Sequence, residues 1–149
     1  AEEISESTSM KIKAMYKISG ELESLGDSGE TLSRILSRKN IHKKEFDSES
    51  IKNLNAMADA VNATYDVMIE NLTAAHKGEL VEISNAYNAE DRLNTLRNNL
   101  RDSVIENIDS KGDNYQTSVY FIDIINTYEQ MGDFMINVSQ DLERAFVKK

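Results

Sequence analysis

The stretch Ile18–Leu36 returns 106 positions later as Ile124–Leu142. ISGELESLGDSGETLSRIL becomes IINTYEQMGDFMINVSQDL, with six identities: Ile18/Ile124, Glu23/Glu129, Gly26/Gly132, Asp27/Asp133, Ser33/Ser139 and Leu36/Leu142. The apolar seam carries over too, pairing Met15 with Phe121, Leu22 with Tyr128, Leu25 with Met131 and Leu32 with Val138. A repeat constrains architecture before any local feature does, because both copies must solve a similar packing problem. Each copy also holds Glu-x-x-Gly-Asp, which sets Glu23/Asp27 and Glu129/Asp133 at equivalent places.

Everything around the repeat favours long helices. The chain of 149 residues holds no proline and only six glycines, the two residues that break or weaken helix interiors. Its length suits a single domain, 1–149, with a substantial core. The first predicted helix runs from about Ile4 to Lys39, with Met15, Ile18, Leu22, Leu25, Leu32 and Leu36 on one seam. Gly29 falls on that seam, where a missing side chain lets another helix approach. The second is capped by Asp47 or Ser48 and carries Ile51, Leu54, Ala58, Val61, Tyr65, Met68, Leu72 and Ala75. Their alternating steps of three and four are the pattern of a left-handed bundle. Lys77-Gly78 ends that helix. The third spans about Glu79 to Ser110, turning Leu80, Ile83, Tyr87, Leu93, Leu96, Leu100, Val104 and Ile108 inward. Gly112 closes it, and Asp113 with Gln116 opens a fourth helix reaching about Val147. Short connections make consecutive helices antiparallel, so the expected fold is all-α, an up-down bundle of four long antiparallel helices.

Charge removes some functions. Lys+Arg of 17 against Asp+Glu of 26 gives a net charge of −9, which argues against nucleic acid, since that binding rests on neutralising phosphates. One basic segment, Ser37–Phe46, reads as a solvated helix end and turn. The absence of cysteine excludes disulfides and thiolate-ligated zinc, and fits a reducing compartment. No apolar run approaches the roughly 20 residues of a membrane helix. The opening Ala-Glu-Glu, without methionine, fits a piece of a longer protein. Asn62, Asn71 and Asn137 each begin an Asn-x-Ser/Thr triplet inside predicted helix and read as chance rather than glycosylation sites.

Two helices lack balancing cations. Between Asn53 and His76, and again between Gly112 and Glu143, there is no Lys or Arg. The second helix carries Asn55, Asp59, Asn62 and Asp66 on one stripe, and the fourth carries Asn126, Glu129, Asp133 and Asn137. A solvated face accounts for such a stripe; hard cations taking oxygen ligands are the other explanation. Acids four apart on a helix repel mildly, and the repeat keeps that cost twice.

Glu23-Ser-Leu-Gly-Asp27 and Glu129-Gln-Met-Gly-Asp133 resemble the E-R-I-G-D signature of the PhoU family of phosphate-uptake regulators. In that family two three-helix units follow one another, and the signature lies in the third helix of each. Glu90-Asp91-Arg92-Leu93-Asn94 is similar to the family's second-helix element, with Asn94 where an aspartate is usual. The resemblance implies that residues 1–46 are the last helix of a first repeat and 47–149 a complete second repeat. It implies a cytoplasmic, non-enzymatic regulator of bacterial phosphate uptake, free or as the cytoplasmic domain of an inner-membrane sodium/phosphate cotransporter. The implied partner is the transporter's membrane domain or its sensor, and membrane association runs only through that transporter. It also implies candidate metal ligands, for a divalent ion or an iron or zinc cluster, at Glu23, Asp27, Glu129 and Asp133. Asp59 and Glu90 follow, each in an element where an amide (Asn55, Asn94) replaces one acid, and Asp66 is a further acidic candidate.

Catalysis has little to stand on. A di-iron bundle needs Glu-x-x-His on inward faces, and neither His42 nor His76 has an acid three residues before it. No nucleophile motif or phosphate loop appears. A ligand-free signalling or adaptor bundle is the remaining rival, and exposed faces of a truncated repeat make a homodimer a candidate state.

Overall fold

The computed structural model describes residues 4–108 and 115–146. They form four helices: α1 (Glu6–Ile41), α2 (Ser48–His76), α3 (Ser84–Ile108) and α4 (Tyr115–Phe146). No strand occurs among the described residues, and the chain is an all-α bundle. None of these helices is long and apolar enough to cross a membrane.

The helix ends follow from local chemistry. Ser5 caps α1 by accepting the Thr8 N–H, and Asp47 caps α2 by accepting the Ser50 N–H at 2.7 Å. Those bonds favour the ionised Asp47, holding its carboxyl below its usual pKa. Gly78 takes φ 71° after α2, and the Glu79 and Gly78 N–H groups close back on the Ala74 and Ala75 carbonyls. That is the glycine-terminated exit the sequence predicts. Lys43 takes the same left-handed conformation after α1, at φ 55°, without glycine's freedom. Lys39 secures this turn, donating to the Lys44 carbonyl and lying 5.1 Å above the Phe46 ring. The basic segment is thus a helix end and turn, as expected.

The direction of each helix can be read from its pairings. Lys17 meets Asp141 and Asn137 meets Glu21, so α1 and α4 run antiparallel. Asn71 meets both Asn85 and Ser139, which makes α2 antiparallel to α3 and parallel to α4. α4 is the centre, packing against all three others, while α1 has no extensive contact with α2 or α3. The α1/α4 register brings Gly26 level with Gly132, so the two repeat copies lie about an approximate two-fold axis at that level.

The core departs from the predicted seams in instructive ways. On α1 the buried residues are Ala14, Ile18 and Ser28, whereas Met15, Leu22 and Leu36 are exposed. Nothing lies near a side chain built on Gly29; the close approach is instead at Gly132, where a Cβ would meet the Leu93 side chain. On α2 the buried row is Met57, Val61, Thr64, Met68 and Asn71, and Ile51 and Tyr65 face solvent. Thr64 belongs inside because its hydroxyl donates to the Ala60 carbonyl. The third helix begins at Ser84 rather than Glu79, since the glycine exit leaves residues 79–83 outside regular helix. Val81 anchors that segment, and Leu80 and Tyr87 are exposed rather than inward. Gly112 and Asp113 lie outside the described residues, as does the far end of the fourth helix; Gln116 donates to the Tyr120 hydroxyl.

Candidate functional site

Where α3 and α4 meet, the second acid pair lies in a half-buried polar cluster. α3 contributes Glu90, Asn94 and Arg97, and α4 contributes Asn126, Glu129 and Asp133. Positions four and seven apart on α3, and three and seven apart on α4, share a helix face. The Asn94 amide donates to Glu90 at 3.5 Å, and the Arg97 guanidinium reaches Asn126 Oδ1 at 3.5 Å. Asn94 Oδ1 and Arg97 Nε are buried and have no hydrogen-bond partner among the described residues.

The electrostatics follow from crowding like charges. Burial, then the charge of Glu129 and a hydrogen bond shared with it, push the Asp133 carboxyl up to about 6, against the opposing pull of Arg97. A hydrogen bond between two carboxyls requires a proton between them. Burial and the Asp133 charge also raise Glu90, opposed by the Asn94 hydrogen bond. Folding therefore strengthens proton binding at Asp133, so this group's contribution to stability is full below its unfolded value near 3.8 and declines as pH rises through 6. Asp133→Asn is expected to stabilise the protein above that range and to give no gain well below it. A shift of this size equates to about 3 kcal/mol; solvent screening of a group this exposed reduces the expected gain to about 1 kcal/mol. Urea unfolding of both proteins on either side of the transition measures it.

The other sequence candidates do not join this cluster. Glu23 and Asp27 lie exposed on α1, and Asp59 and Asp66 lie exposed on α2 along with Asn55 and Asn62. The α2 stripe is a solvated face. Among the described residues no three His, Asp or Glu side chains are grouped so as to hold a metal ion. His42 and His76 are exposed at the ends of α1 and α2.

Neighbouring helices supply the cations missing from α4. Arg97 of α3 lowers the pKa of Asp133, and Lys17 of α1 pairs with Asp141 at 3.3 Å. Asp141 is 5% exposed and also meets Arg144 at 3.8 Å. Asp141 escaped the sequence argument, and its only early signal was a lone acid at the position where the first repeat has Ile35. Asn71 is buried, which disposes of it as a glycosylation acceptor.

No protein-family model, curated protein or solved structure matches this chain.

Proposed function

We propose that the chain is a non-enzymatic regulatory domain of phosphate uptake, similar to the PhoU family and acting through protein contacts. The observation that carries this reading is the repeat's packing: α1 and α4 lie antiparallel with their Gly-Asp steps level. α2, α3 and α4 pack on one another, and α1 joins them chiefly through α4. That is the arrangement expected of a last helix of one unit followed by a complete second unit. The exposed Glu23/Asp27 pair then belongs to a docking face, and the partner is a transporter's membrane part or its sensor. In the cotransporter form the domain works in the cytoplasm beneath its own membrane part. A photocrosslinking residue at Asp27 tests this in phosphate-fed and phosphate-starved cells. A transporter or sensor component should be recovered in at least one state; recovery of neither counts against the proposal.

A second reading, metal binding, has one observation in its favour, the buried Asn94 oxygen without a hydrogen-bond partner beside Glu90, although no three acids among the described residues are grouped to hold an ion. Carboxylate and amide oxygens suit a hard divalent ion. If the acids around Asn94 draw together to take one, calcium or manganese added to chelator-stripped protein should raise its melting temperature. Asp133→Asn should remove that rise. A flat titration of the unaltered protein sinks the metal reading and leaves the docking proposal intact.

A further inference from the structure

α1 and α2 each carry a second apolar row with no helix upon it. On α1 it is Met15, Leu22 and Leu36, which are 60%, 41% and 39% exposed, with bare Gly29 between the last two. On α2 it is Ile51 and Tyr65, also exposed, with the half-buried Ala58 and Leu72 in the same row. Both rows keep a seven-residue interval, so each is a continuous stripe beside the buried stripe of its helix. Of the positions equivalent to the α1 row on α4, Phe121, Met135 and Leu142 are buried and Tyr128 is half-buried.

The two stripes border one cleft. α1 and α2 both lie against α4 without packing extensively on each other. At one end the gap opens into a cavity of about 700 Å³, lined by Met10 and Lys11 of α1, Ala75 and His76 of α2, and Ala145 and Phe146 of α4. The helical phase of each element turns its free stripe toward this gap. Beyond the stripes both flanks are acidic. Glu23 and Asp27 lie exposed on α1, where the neighbouring Glu30 is paired with Arg34, and Asp59 and Asp66 lie exposed on α2, where no Lys or Arg occurs between Asn53 and His76.

We propose that this cleft docks an amphipathic helix of a partner protein, whose apolar stripe lies on Leu22 and Tyr65 and whose flanks carry lysine or arginine. A helix offers that geometry because its apolar residues recur at the intervals found on α1 and α2. Charge selects the basic kind, since an acidic helix would meet repulsion on both rims. A second copy of this chain fits less well. α1 runs basic, acidic, basic along its length, so an antiparallel α1 pair centred on Glu23 sets like charges opposite one another. The inference rests on these stripes and charges, not on the assignment to phosphate uptake.

The test uses two synthetic helical peptides of about 20 residues, long enough to span roughly 30 Å. Both have one leucine face; one has lysine and the other glutamate on the polar face. Fluorescence anisotropy with the whole chain should show binding of the lysine peptide only. The double variant Leu22→Glu/Tyr65→Glu should weaken it about tenfold or more, while Tyr87→Glu/Ile105→Glu on exposed α3 should not. The sign is diagnostic, because two added carboxylates would tighten a purely electrostatic association. Circular dichroism checks the fold, and Met15→Glu/Ile51→Glu serves if the first variant unfolds. Undiminished binding in the cleft variants, equal binding of the glutamate peptide, or a chain dimer that these same substitutions dissociate would each overturn the proposal.

Discussion

Gly132→Leu is expected to cost the protein about 3 kcal/mol or more, from overpacking of a core without slack, while the equivalent Gly26→Leu costs nothing and gains a fraction of a kcal/mol from helix propensity. The reason lies in what each glycine faces. Even a single Cβ on Gly132 meets the Leu93 side chain, and Leu93 is fully buried between α3 and α4. The far end of a leucine can ordinarily rotate away, but Leu93 is fully buried and has no solvent to turn into. A leucine at position 132 must therefore separate α3 from the central helix. Gly26 has nothing within van der Waals reach of the same added atom. Replacing it with alanine should even stabilise α1, by about 1 kcal/mol through helix propensity. Urea unfolding of the matched pairs at positions 26 and 132 measures both effects. Equal losses at the two glycines would mean that α1 carries a neighbour on its outer face, contrary to the arrangement described.

Those two glycines also mark where the sequence was legible and where it was not. The repeat, the all-helical class, the Asp47 cap and the Gly78 exit are local or periodic features, and such features survive translation into structure. Periodicity alone does not say which of two adjacent rows on a helix receives neighbours. On α2 the large side chains Tyr65 and Ile51 attract the reader, yet Thr64 and Asn71 are inside because their polar atoms find partners there. On α1 the row of Met15 and Leu22 has the right spacing but no helix opposite it. The acid pairs follow the same logic. Their equivalence was visible, but their environments depend on α3, which half-buries Asp133 and leaves its counterpart Asp27 in solvent. Charge balance likewise does not show in one helix at a time, because Arg97 and Lys17 reach α4 from its neighbours.

Asn71→Ala should cost about 2–4 kcal/mol, the sum of unsatisfied buried polar groups and a small cavity. Asn71 is 3% exposed and stands where α2, α4 and the start of α3 converge. Its amide donates to Ser139 Oγ at 3.0 Å and exchanges hydrogen bonds with the Asn85 side chain at 3.3 Å in both directions. Asn85 Oδ1 in turn accepts the Ala86 N–H at 2.7 Å, in the first turn of α3. Truncating Asn71 therefore strands the buried Ser139 and the half-buried Asn85 and loosens that turn, whereas Ser139→Ala leaves the Asn71–Asn85 exchange intact. The serine variant is expected to lose only about 1 kcal/mol, the ordinary net value of one hydrogen bond. The double variant should lose less than the sum of the two, because the Asn71–Ser139 bond is removed in each single change. Hydrogen exchange at the Ala86 amide should accelerate in Asn71→Ala and not in Ser139→Ala. Additive losses with unchanged exchange would show that Asn71 acts through packing alone, and that the entry into α3 is held by Val81 and the helix's own bonds.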